Sequence, residues 1–94
     1  MNAKDLTLNI AVNLGRVSRW AVEGKKKRII QFLAETEDYL AQLEKTPLKP
    51  RFVKTFQLFQ KAFKRLQSDI RLDEDWAEEA LTWANILTHR AKLA

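Results

Sequence analysis

An all-α fold, an antiparallel (up-down-up-down) four-helix bundle, is predicted by three observations. Large apolar residues recur at steps of three and four through four segments of the chain, the spacing that stacks side chains on one side of a helix. The segments are near-equal in length, about 18 to 21 residues, with short connections between them. The 94 residues include only two glycines and two prolines, fewer turn residues than a β-rich chain of this size uses. One domain, 1–94, is expected, long enough for a modest core. With 46% hydrophobic and 31% charged residues the composition is that of a folded chain, not a disordered one.

The first helix begins near Ala3, where Asn2 and Asp5 stand at capping-box spacing. Its core face is Leu6, Ile10, Leu14, Val17 and Ala21, with Trp20 at the margin. A second row runs along the other side: Leu8, Val12 and Val22, with Gly15 and Arg19 between them. Apolar residues on two faces are unlike a simple surface helix. Gly15 costs about 1 kcal/mol against alanine inside a helix, so a neighbouring helix is expected to approach closely there. Glu23-Gly24-Lys25-Lys26-Lys27-Arg28 then interrupts the pattern, and Gly24 suits a left-handed helix end.

An alternative reading has three helices, with one long first helix from Ala3 to Lys45, in a dimer. No Ser, Thr, Asp or Asn stands at 25–28 to cap a new helix. The overhang of such a helix would bury Leu6, Ile10, Leu14 and Val17 on another chain.

The second helix carries its seam at Ile29, Leu33, Thr36, Leu40 and Leu43, with Phe32 and Tyr39 beside it, and stops before Thr46-Pro47-Leu48-Lys49-Pro50. The third, Pro50 to Ile70, sets Phe52, Phe56, Phe59, Phe63, Leu66 and Ile70 within roughly 80° of the helix wheel. Lys54, Lys61 and Arg65 lie opposite that seam. The fourth is signalled by Asp75 and Glu78 as a cap, after Asp73 and Glu74, and its seam is Trp76, Ala80, Trp83, Leu87 and Ala91.

Net charge is +5, with alternating signs along the chain. Residues 1–28 and 49–71 carry seven basic groups each against two and one acidic ones. Residues 29–48 and 72–94 carry four and five acidic groups against one and two basic ones. Sequential antiparallel neighbours are therefore opposite in sign, and pairing between them is expected to absorb much of the basic surface.

Catalytic residues are not apparent. There is one histidine, no cysteine, and serine only at 18 and 68. His89 shares a helix face with Glu78, Thr82 and Asn85, away from the seam, and is read as a solvated residue at a helix end. No enzyme activity, metal or cofactor is expected, since one histidine without cysteine falls short of a usual zinc site and two glycines make no phosphate loop. No leader or membrane span is apparent, and a cytoplasmic location is the expectation.

Two functional readings follow. The first is a protein-interaction or assembly module that self-associates, as a homodimer, through helix one; its surface is Leu8, Val12, Gly15, Arg19 and Val22, with Leu58 on the third helix. The alternative is sequence-independent binding of RNA or DNA, with Lys25, Lys26, Lys27, Arg28, Lys54, Lys61, Lys64 and Arg65 on phosphates. The aromatics of the third helix lie on the buried seam and are not available for base stacking.

Overall fold

The computed structural model describes residues 1–94 and contains four α-helices and no strand. They are α1 (Ala3–Glu23), α2 (Lys26–Glu44), α3 (Pro50–Ser68) and α4 (Glu74–Arg90), followed by a short 3-10 turn, Ala91–Leu93. The bundle measures 37 × 20 × 18 Å, which is about the length of a 21-residue helix at 1.5 Å per residue plus its end connections.

Gly24 decides between the two expected architectures. Its φ is 72° and ψ 22°, and its N–H and that of Lys25 fold back onto the carbonyls of Ala21 and Trp20. This left-handed cap ends α1 and rules out the long first helix. An L side chain in that conformation costs about 1–2 kcal/mol, so glycine is the residue that permits the reversal. No side chain caps α2, whose start at Lys25 depends on the reversal itself.

Asn2 caps α1 as expected, its Oδ1 accepting the Asp5 N–H at 2.8 Å. The cap of α4 lies two residues earlier than expected. Asp73, not Asp75, accepts the Trp76 N–H at 2.8 Å, and α4 begins at Glu74. Arg71 reaches the same carboxylate at 2.9 Å. Leu72 just before it holds φ 57° while its side chain packs on the core. That burial helps offset a backbone region that costs an L residue roughly 1–2 kcal/mol.

The Trp76 N–H first, then Arg71, hold the Asp73 carboxyl below its ordinary pKa of 3.8. A depressed native pKa stabilises the fold above the ordinary value, and the gain is lost as pH falls through the folded value. Asp73→Asn keeps an acceptor for Trp76 and removes the titration. Its melting temperature is expected to fall less steeply than the wild type's below about pH 4; superimposable pH profiles would contradict this assignment.

The core is one continuous cluster of 21 buried residues drawn from all four helices. The seams foreseen on α1, α2 and α3 are buried, although Ile70 lies beyond the end of α3 and is half-buried. On α4, Trp83 is also only half-buried, lying against Phe59 with ring centroids 5.5 Å apart.

Two packing regimes divide the bundle. The backbones of α1, α2 and α4 approach closely, with α1 as their common neighbour. Against α4 the approach is permitted by small residues: Ala3, Ala11, Ser18 and Ala21 on one side, and Ala77, Ala80 and Ala84 on the other, with Ala91 in the turn that follows. Ser18 Oγ donates to the Ala77 carbonyl at 2.7 Å, which fixes the register of the antiparallel pair. The third helix stands farther off, because four buried phenylalanines fill the space between it and the rest.

Side chains tie α3 down. Trp76 Nε1 donates to the Leu66 carbonyl at 3.1 Å, and Arg90 Nη1 to Thr55 Oγ1 at 3.1 Å, clamping both ends of α3 to α4. Toward α2, Gln60 Nε2 donates to Glu44 at 3.1 Å, and Gln67 donates to Glu37. Thus α1 and α3 occupy diagonal corners, each flanked by α2 and α4.

Candidate interaction surface

The outer face of α1 carries the second apolar row foreseen in the sequence. Because α2 and α4 grip the two sides of α1, the row at Leu8, Val12, Gly15, Arg19 and Val22 points out of the bundle. Leu8 is half-buried, Val12 is 51% exposed and Val22 77%. A single exposed aliphatic needs no explanation; here they share a line along one helix.

Gly15 lies at the middle of this row, seven residues from Leu8 and from Val22. A Cβ built there meets nothing within 4 Å. The expected close neighbour is therefore absent from this chain, and no contact inside the monomer accounts for a mid-helix glycine that costs about 1 kcal/mol.

One residue joins the surface that periodicity had not singled out. Leu81, 46% exposed, sits one turn along α4 from Ala77, on the outward side next to α1. In sequence it is an isolated leucine between Glu78 and Asn85, and only the α1–α4 register places it beside the α1 row. Leu58, 50% exposed, is not brought to this surface. It lies on the α4 side of α3, at the corner diagonal to α1, and cannot share one flat interface with Val12 and Val22.

The α1–α2 edge of this face is held by aromatic stacking. The Trp20 and Phe32 rings meet edge-on with centroids 4.8 Å apart. The Arg16 guanidinium lies 5.7 Å from the Phe32 centroid and that of Arg28 5.6 Å from Trp20. Such cation–π contacts contribute roughly 0.5–1 kcal/mol each where exposed. Asn13, buried on the same edge, donates to Glu35 at 3.4 Å. Packing against the bundle first, then the Glu35 carboxylate, push the Tyr39 hydroxyl above its ordinary pKa.

Charge borders the face with opposite signs. At the C-terminal end of α1, the start of α2 supplies Lys25 to Arg28 on one side, and the start of α4 supplies Glu74 and Glu78 on the other. Toward the N-terminal end each side changes sign, with Glu35 and Asp38 on α2 and Lys92 in the 3-10 turn that follows α4.

The basic groups are less engaged inside the molecule than the alternating helix charges suggested. Only three ion pairs form. Lys25–Glu23 at 2.9 Å and Arg71–Asp73 are local to one connection each, and only Arg65–Glu79, at 2.8 Å, joins two helices. Among the candidate phosphate-contacting residues, Lys25 and Arg65 are thus paired and Arg28 lies over Trp20. Lys26, Lys27, Lys54, Lys61 and Lys64 are exposed and without an ion pair. The alternation of sign therefore acts between helices at longer range, where screening leaves each surface pair worth little.

A shallow groove between α2 and α3 has Leu40, Ala41 and Phe63 among its lining. The Gln60–Glu44 and Gln67–Glu37 hydrogen bonds bridge it. No buried side-chain polar atom lacks a partner. No three His, Cys, Asp or Glu residues gather as a metal-ligating group, and His89 is exposed. No helix is long and apolar enough to cross a membrane. Comparison with protein-family models, with curated proteins and with solved structures gave no match for this chain.

Proposed function

We propose that this protein is a non-enzymatic assembly module that associates with a second copy of itself through the outer face of α1. The observation that carries this reading is Gly15: a helix-weakening residue with open space above it, centred in an exposed row of Leu8, Val12 and Val22. A bare backbone flanked by aliphatic side chains is what a second helix needs for close approach, and nothing in the monomer uses it.

The borders of the face favour a second copy over an unrelated partner. Each side runs from one charge sign to the other, and the two sides are opposite at each end. Such a surface is self-complementary, because laying it on its own copy sets cations of one molecule beside acids of the other. Rim charges of this kind select the partner and its orientation more than they add affinity. A two-fold pairing uses the same patch on both molecules, which is the commonest form of small soluble assembly.

Val12→Asp places a charge in the centre of the row at an exposed position. It is expected to reduce a dimer to single chains in sedimentation velocity, with the helical circular dichroism and the melting temperature of the folded chain retained. A variant that stays dimeric would remove the α1 face from the interface. Loss of helical signal would show that Val12 belongs to the core.

A second reading rests on Lys54, Lys61 and Lys64, which carry no ion pair on the outer side of α3. These would support salt-dependent, sequence-independent binding to nucleic acid on the corner opposite α1. Fluorescence anisotropy with mixed-sequence RNA and DNA across a salt series tests it. Binding that weakens steeply with salt, and more so after loss of Lys61, is the result this reading expects.

A further inference from the structure

Resting on the self-association just proposed, we infer that the two copies of α1 run antiparallel, crossing at Gly15, so that Leu8 of each molecule meets Val22 of the other. The seam of the face decides the direction. Lys4, Leu8, Val12, Gly15, Arg19 and Val22 lie along it, and two of these six are cationic.

A parallel two-fold sets every seam residue on its own copy. Lys4 then faces Lys4 and Arg19 faces Arg19 across the contact, two like-charge pairs brought together where apolar residues exclude water. Reversing one molecule separates both pairs. Arg19 then lies across from the Leu8–Val12 half of the row, where its aliphatic stem covers apolar surface and its head projects to the rim.

The α1–α2 register, set by the Asn13–Glu35 hydrogen bond, brings Glu35 and Asp38 of the second copy to the level of Arg19. Lys4 moves to the end of the face where Val22 and Glu23 lie.

The flanking helices accept this direction. On the α2 side, the Lys25–Arg28 start of one copy lies toward the Glu35/Asp38 half of the other. On the α4 side, Glu74 and Glu78 lie toward Lys92 in the turn after α4. A parallel pairing also sets acids of α4 against cations of α2, so the flanks alone do not choose; the repeated Lys4 and Arg19 on the seam do. Gly15, seven residues from both Leu8 and Val22, is the only seam position that faces itself in the antiparallel pair. It is also the one with no side chain to clash there.

The chain has no cysteine, so single cysteines report the arrangement directly. Leu8→Cys, carrying a short terminal tag, and Val22→Cys are mixed as full-length proteins, allowed to exchange, and oxidised. The expected product is the mixed disulfide of tagged and untagged chains, at double the chain mass, while each variant oxidised alone stays mainly single. Self-linking of each variant alone, with little mixed product, would establish the parallel arrangement and overturn the inference while leaving self-association through α1 in place. A wild type that remains a single chain by light scattering at the concentration used would remove the self-association reading and this inference with it. A wild-type dimer whose cysteine variants, still dimeric before oxidation, link in neither way would place the interface elsewhere and overturn both.

Discussion

Phe59→Ala is expected to destabilise the fold by about 3–5 kcal/mol in a urea or guanidinium titration. For a domain whose total stability is of order 5–15 kcal/mol, that is a large share. Phe59 is 1% exposed and sits between Phe63, at a centroid distance of 5.8 Å, and Trp83, at 5.5 Å. Alanine there leaves a cavity the size of most of a ring. The void closes poorly because α3 is held at both ends to α4, by Trp76 on the Leu66 carbonyl and by Arg90 on Thr55. The helix cannot simply move inward to fill the gap without breaking one of those bonds. A loss below about 1.5 kcal/mol would mean that α3 is free to collapse onto its neighbours.

The opposite change at the opposite packing regime is also expected to destabilise the fold, by a smaller amount. Ala80→Leu adds three carbons at a position with 0% exposure, on the small-residue side of α4 that lets α1 come close. Overpacking such a site costs about 1–3 kcal/mol, occasionally more, because neighbours leave their rotamers or backbones separate. Separation here would also pull Ser18 from the Ala77 carbonyl, leaving a buried hydroxyl unpaired. Ala34→Leu is the control. Ala34 is an exposed alanine on α2, where the same change should stay within about 0.5 kcal/mol of the wild type. Equal effects at the two alanines would contradict the close α1–α4 approach.

Much of this arrangement was legible from spacing alone, because a helix core reports itself through period. Leu6, Ile10 and Leu14, or Phe52, Phe56 and Phe59, can only be buried together on one side of a helix. Gly24 is legible as a breaker, but the cap-less start of α2 is equally compatible with one long helix, and only the left-handed φ of Gly24 distinguishes the two. The α4 cap was misplaced by two residues because Asp73 and Asp75 both offer a carboxylate, and only backbone geometry selects between them.

Properties that depend on how helices sit against one another were beyond the sequence. The alternating charges suggested pairing, but long side chains at the bundle surface mostly end in solvent, and one interhelical ion pair formed. The contrast between the close α1–α4 contact and the distant α3 was written in the alanines and phenylalanines. Reading it needed the register that Ser18 and Ala77 set. The same register brings Leu81 beside the α1 row and leaves Leu58 on the far corner. At Gly15 the residue type pointed to a close neighbour; the structure shows none within this chain.

Assembly through α1 rests on that last point, and the mass of the wild type and of Gly15→Leu across a range of concentrations tests it most directly. In a single chain the leucine at 15 extends into open space and replaces a poor helix former with a good one, so the folded monomer should be retained or strengthened. In the proposed pair it would stand where two backbones meet. The wild type is expected to approach twice the 11.0 kDa chain mass as concentration rises, while Gly15→Leu stays at the single-chain mass with full helical signal. A wild type that remains at the single-chain mass, or a Gly15→Leu variant that pairs as readily as the wild type, would contradict assembly through α1.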